Sequence, residues 1–91
     1  VIPESLLICS RTYTVTTQPM LGMLGACQHE AQDITIEESA HPQLQASVLL
    51  HEVLEAINTS MGLGLEHHVI NALEAALYGV LTANPNWWEG T

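Results

Sequence analysis

The sequence predicts an α+β fold: a small antiparallel sheet of three to four strands followed by two packed helices. Three observations lead there. Stretches rich in β-branched residues, or alternating polar with apolar, are confined to the first 38 residues. The rest of the chain carries two long runs, 42–60 and 66–83, in which apolar residues recur at three-and-four spacing. Met61-Gly62-Leu63-Gly64 interrupts them where one helix must stop and another begin. Strands followed by helices in 91 residues make one α+β domain. It divides into a sheet (1–38), a first helix (39–61), a second helix (65–84) and a tail (85–91).

Leu6-Leu7-Ile8-Cys9 and Thr12-Tyr13-Thr14-Val15-Thr16-Thr17 read either as two strands joined by a tight turn or as one bulged strand. Pro19 and Gly22 end that segment. Met23 to Gln28 is a third, weaker strand, and Asp33-Ile34-Thr35-Ile36-Glu37 alternates as a half-buried strand should. The polar residues His29 to Gln32 join these two as a hairpin. Ser39 or His41 caps the first helix, with Pro42 in its first turn. Leu50, Val53, Leu54, Ile57 and Met61 give that helix its buried side. In the second helix the core stripe is Ile70, Leu73, Leu77, Val80 and Leu81, and Asn84-Pro85 stops it. The short link makes the helices neighbours, both on one side of the sheet. Trp87 and Trp88 form a tail expected to fold back onto apolar surface.

Ten acidic residues against Arg11 alone give a formal charge of −9. No Lys/Arg footprint exists to neutralise phosphates, which argues against nucleic acid and anionic membranes. The acidity suits cation binding, though solubility explains it equally well. Cys9 and Cys27 lack a metal-like spacing, so buried free thiols of a cytoplasmic protein are expected rather than a cross-strand disulfide. No run of eighteen apolar residues and no basic-then-apolar leader is present, so neither a membrane span nor a secretory signal is expected.

The chemistry concentrates in Ser47-Val48-Leu49-Leu50-His51-Glu52-Val53-Leu54-Glu55-Ala56-Ile57-Asn58. At 100° per residue, His51 and Glu55 lie about 40° apart and one turn on. Leaving an imidazole and a carboxylate unpaired among Leu and Val costs roughly 1–3 kcal/mol or more. A divalent metal would compensate both at once; a metal-free hydrogen-bonded pair is the plainer alternative. On the second helix His67, Asn71, Glu74 and Tyr78 share one face. A solvated face would explain that stripe too, but it can also meet His51 and Glu55 across the helix pair. His67 and Glu74 are two turns apart, ~10.5 Å along the axis, so one ion is not expected to take both.

His51-Glu52-x-x-Glu55 resembles the H-E-x-x-H helix of zincin metallopeptidases, with Glu in place of the second His. With Leu65-Glu66-His67-His68 and Ala76-Leu77-Tyr78-Gly79 following, residues 44–85 are similar to small phage-encoded zincin-like proteins. The resemblance implies a zincin-like fold in the cytoplasm of a bacterial host, with His51 and Glu55 as metal ligands and Glu52 as general base. For the third ligand it offers two precedents: a Glu on the following helix, here Glu74, or a residue in that helix's first turn, here His67. His67 is preferred, Glu74 is the alternative, and His68 ranks behind both. Asn71, Glu74 and Tyr78 are then candidates for supporting the ligands or polarising substrate.

The implied activity is zinc-dependent hydrolysis of a protein or peptide, with Tyr78 or His29 stabilising the oxyanion and the sheet edge holding an extended substrate. Mn²⁺, Fe²⁺ or Ni²⁺ suit the same donors. The alternative is a catalytically degenerate zincin-fold binding protein of a phage, in an anti-defence or assembly role. His68, His41 and His29 have ordinary readings as surface, helix-start and turn residues, and Glu52 as an exposed helix residue.

Overall fold

A computed structural model of the chain describes residues 2–86. The expected tail around Trp87 and Trp88 lies outside the described residues. Four strands come first: β1 (Ser5–Ile8), β2 (Arg11–Gln18), β3 (Gly25–Gln28) and β4 (Asp33–Glu37). Helices α1 (Pro42–Met61) and α2 (His67–Ala83) follow. The α+β class and the order of elements agree with the sequence reading. No helix among the described residues is long and apolar enough to cross a membrane.

The sheet differs in one respect from the antiparallel arrangement expected. Its strand order is β1-β2-β4-β3, with β2 and β4 parallel and the other pairs antiparallel. β1 turns directly into β2 through Cys9 and Ser10, both at positive φ, so the segment is a hairpin and not a bulged strand. The chain then crosses to the far edge for β3, and β4 returns between β3 and β2. Local alternation fixes which residues form strands, but it carries no information on strand order.

Period-two alternation buries Tyr13 and Val15 on β2 and Ile34 and Ile36 on β4 against α1. α1 lies over β1, β3 and β4, while α2 packs on α1. His41 caps α1, its Nδ1 accepting from the Gln43 N–H at 3.1 Å, with Pro42 next in the first turn. Gly62, in the left-handed region at φ 62°, ends it.

The buried stripes match those expected only in part: Val53 and Ile57 pack against the core and Ile70 is buried, but other members are not. On α1 the deepest residues are Val48, Glu52 and Ala56, while Leu50 and Leu54 are half-buried and Met61 is exposed. On α2 only Ile70 is fully buried, and Leu73, Leu77 and Val80 remain in solvent. Hydrophobicity exceeds the available partner surface on α2, so apolar spacing alone could not say which side meets α1.

Candidate metal centre

The side chains single out one place, the cleft between α1, the first turn of α2 and the β3 edge. Gly25, Cys27, His29, His51, Glu52, Glu55 and His67 line a depression there of about 380 Å³. His51 Nε2 lies 3.5 Å from Glu55 Oε2, and His67 Nδ1 lies 3.4 Å from the same oxygen. One donor atom from each of the three falls within 4.8 Å of the others. The two imidazoles meet edge to face, with centroids 5.1 Å apart.

Those spacings bear on whether an ion fits. Tetrahedral donors about 2.0–2.1 Å from a zinc ion stand roughly 3.3–3.4 Å from one another. The gaps of 3.4 and 3.5 Å to Glu55 match such an edge and exceed the usual length of a charge-assisted hydrogen bond. Two nitrogens and a carboxylate oxygen, all on the lining of the depression, are a donor set that would suit zinc.

Glu74 stands behind this group. Its Oε1 is 2.8 Å from His51 Nδ1, and its Oε2 accepts from the Ser47 hydroxyl at 2.6 Å. With Nδ1 turned to a carboxylate, His51 directs Nε2 toward Glu55 and His67, as a carboxylate partner commonly arranges for a ligating imidazole. Glu74 thus orients the His51 ring from the side away from Glu55. The His51 side chain is 15% exposed and that of His67 68%, so the histidines reach the cleft from inside and outside the fold.

His67 depends on how α2 begins. Asn58, in the last turns of α1, clamps the approach: its Oδ1 accepts from the Leu65 N–H at 2.9 Å and its Nδ2 donates to the Leu65 carbonyl at 3.2 Å. The clamp fixes the chain two residues before His67. Sequence reasoning assigned Asn58 no role, because its partner is a backbone unit that no side-chain pattern reports.

Glu52 is 7% exposed, contrary to its ordinary reading as a surface residue. Burial holds its carboxyl above the usual range; His51 and, in smaller measure, His67 oppose the shift, while Glu55 and, in smaller measure, Glu74 reinforce it. Room for Glu52 comes from β3. A Cβ on Gly25 would stand 2.5 Å from Val48 Cγ1 and 3.0 Å from Glu52 Oε2, so only glycine lets the strand approach this closely.

Residues 25, 27 and 29 alternate toward α1, a period-two signal that points to the sheet wall of the cleft. His29 therefore faces the cleft, its Nδ1 3.6 Å from Cys27 Sγ and its Nε2 3.1 Å from Thr59 Oγ1. Burial, followed by the Glu52 and Glu55 charges, pushes the Cys27 thiol up to about 11. Cys9 and Cys27 are both free thiols, Cys9 exposed.

The remaining candidates lie elsewhere. The Tyr78 hydroxyl donates to the Gln43 carbonyl at 3.3 Å, near the start of α1 and away from the cleft. His68 is exposed, 3.5 Å from Glu66. Asn71 is exposed and does not line the depression. No family model matches this chain, and no curated protein or solved structure matches it either.

Proposed function

We propose that the chain is a metal-dependent hydrolase acting on peptides, with His51, Glu55 and His67 as ligands of a zinc ion. One observation carries this reading: two imidazoles converge on a single carboxylate oxygen at 3.4 and 3.5 Å, beside a second carboxyl that is almost fully buried. When bound, the ion supplies Lewis acidity to a water and to the carbonyl under attack.

Everything else falls to the chain. Glu52, walled in by Gly25 and Val48, accepts the proton of the attacking water and returns it to the leaving amine. Glu74 holds the His51 ring, and Ser47 holds Glu74. Of the two side chains considered for the carbonyl oxygen, Tyr78 is engaged at Gln43, so the role passes to His29 in the cleft wall. A peptide is favoured as substrate because, among the described residues, β3 pairs only with β4, which leaves its outer edge beside the cleft for an extended chain.

The test is metal content and turnover on an unfolded protein. Protein purified from chelated medium should take up one zinc; His51→Ala should take up none. Glu52→Gln should keep the zinc and lose turnover by a factor of at least about 100. Full zinc occupancy in His51→Ala would overturn the ligand assignment. Zinc binding with no turnover in the wild type would favour a binding protein over an enzyme.

A further inference from the structure

A second depression of about 450 Å³ opens beside the first, and the two share Gly25, His51 and Glu52. Its remaining walls are mainly apolar: Met23 and Leu24 from the loop before β3, and Leu44 and Val48 from α1. Met23, Leu24 and Leu44 are 53%, 46% and 42% exposed. Three large apolar side chains thus stand in water around one hollow that reaches the proposed catalytic group.

The loop is held open there. The Glu37 carboxylate accepts from the Met20 N–H at 2.6 Å and from the Ser39 N–H and hydroxyl at 2.8 Å each. At the loop's other end the Glu37 N–H donates to the Leu24 carbonyl at 2.9 Å. Both ends are therefore tied to the strand leading into α1, which keeps Met23 and Leu24 from collapsing onto Val48. Of the three polar side chains that line the hollow, Glu74 and His51 are engaged with one another, Glu74 also taking the Ser47 hydroxyl, and the third is the Glu52 carboxyl. A polar side chain entering would find Glu52 as its one unengaged polar partner, whereas an aliphatic one would cover Met23, Leu24 and Leu44.

We propose that this hollow is a side-chain pocket of the same site and seats a bulky aliphatic residue of the peptide, next to the bond that is cut. The proposal rests on the hydrolytic reading for the word "cut", but the pocket itself does not need the metal. Its occupant is set by continuity: whatever fills the hollow also lies against His51 and Glu52.

The experiment titrates acetyl-Ala-Leu-Ala-amide and acetyl-Ala-Ser-Ala-amide into the zinc-free and zinc-loaded protein, following the methyl resonances of Met23, Leu24, Leu44 and Val48. The leucine peptide should shift these methyls saturably and bind about tenfold tighter than the serine peptide. Leu44→Ser and Met23→Ser, both at exposed positions, should remove that preference, and Leu7→Ser on β1 should leave it intact. Equal binding of the two peptides, or shifts confined to other residues, overturns the pocket. Cleavage of peptide mixtures with no aliphatic preference would also overturn it and leave the hydrolytic reading standing. Selective binding to a protein that takes up no zinc would do the reverse.

Discussion

Two of the hollows that border α1 lie at opposite ends of its sequence of contacts with the strands, and only one of them looks like chemistry. The cleft at the β3 edge, about 380 Å³, gathers two imidazoles that converge on one carboxylate and a second, buried carboxyl. The other, about 460 Å³, lies between the β1–β2 turn and the last turn of α1 and is lined by Cys9, Ser10, Arg11, Thr59, Ser60 and Met61. It is larger and holds Arg11, yet its other side chains are small alcohols, a thioether and a thiol, with no imidazole or carboxylate in its lining. Volume does not distinguish the two. What does is the cost of crowding groups that repel or need partners, which a fold tolerates only where something offsets it.

The contrast breaks most readily at Gly25. A methyl group there collides with Val48 and Glu52, so Gly25→Ala should lower stability by about 1–3 kcal/mol. Thermal melting should show this as ~4–8 °C for each kcal/mol. Arg11→Ala in the other hollow should stay within about 0.5 kcal/mol. If Gly25→Ala melts like the wild type, the close approach of β3 to α1 is wrong.

Two substitutions probe what holds the proposed ligands without touching Glu55 or His67. Glu74→Gln removes the carboxylate behind His51 and should weaken zinc about 10–100-fold. Asn58→Ala releases the chain before His67 and should weaken it less, since His67 can still reach Glu55 from a looser α2. Competition against a zinc chelator measures both, and Arg11→Ala should match the wild type. Unchanged affinity in Glu74→Gln would detach that carboxylate from the site.

The cysteines separate the two hollows by pH. The Cys27 thiol is raised from 9.0 to about 11, so the stability it contributes is complete below the unfolded value and is lost as pH rises through about 11. Unfolding in denaturant should weaken across that window in the wild type, and Cys27→Ala should lack this part of the decline. Cys9, exposed in the other hollow, should be alkylated first at pH 8. Faster modification of Cys27 would contradict its placement.

The smallest effect belongs to a buried polar group away from either hollow. Tyr13 is fully buried on β2, and among the described residues its hydroxyl has no hydrogen-bond partner. Removing an unpaired group relieves desolvation, so Tyr13→Phe should be neutral or stabilising by up to about 1 kcal/mol in chemical denaturation. A clear loss would mean that this hydroxyl is bonded after all.

Much of this was legible before any coordinates. The strand runs, the cap at His41 beside Pro42, the exit at Gly62 and the stop at Asn84-Pro85 are local matters, and each appears where the residue types indicate. The i, i+4 pairing of His51 with Glu55 is equally local. Gly25, Cys27 and Asn58 were not recognised. Gly25 matters because another element passes 2.5 Å from where its side chain would be, and Asn58 because it bonds a backbone unit across the inter-helix link. Neither fact is written in the neighbouring residues.

By itself the sequence determined the kinds of element, their limits and the turn of α1 on which an imidazole and two carboxyls are stacked, because hydrogen-bond ladders and side-chain periods act over a few residues. Only the tertiary structure decided that β2 and β4 run parallel, that Glu52 lies buried under β3, and that His67 joins Glu55 while Glu74 takes the far side of His51. Those outcomes depend on which surfaces cover one another, and packing is settled by the whole chain at once.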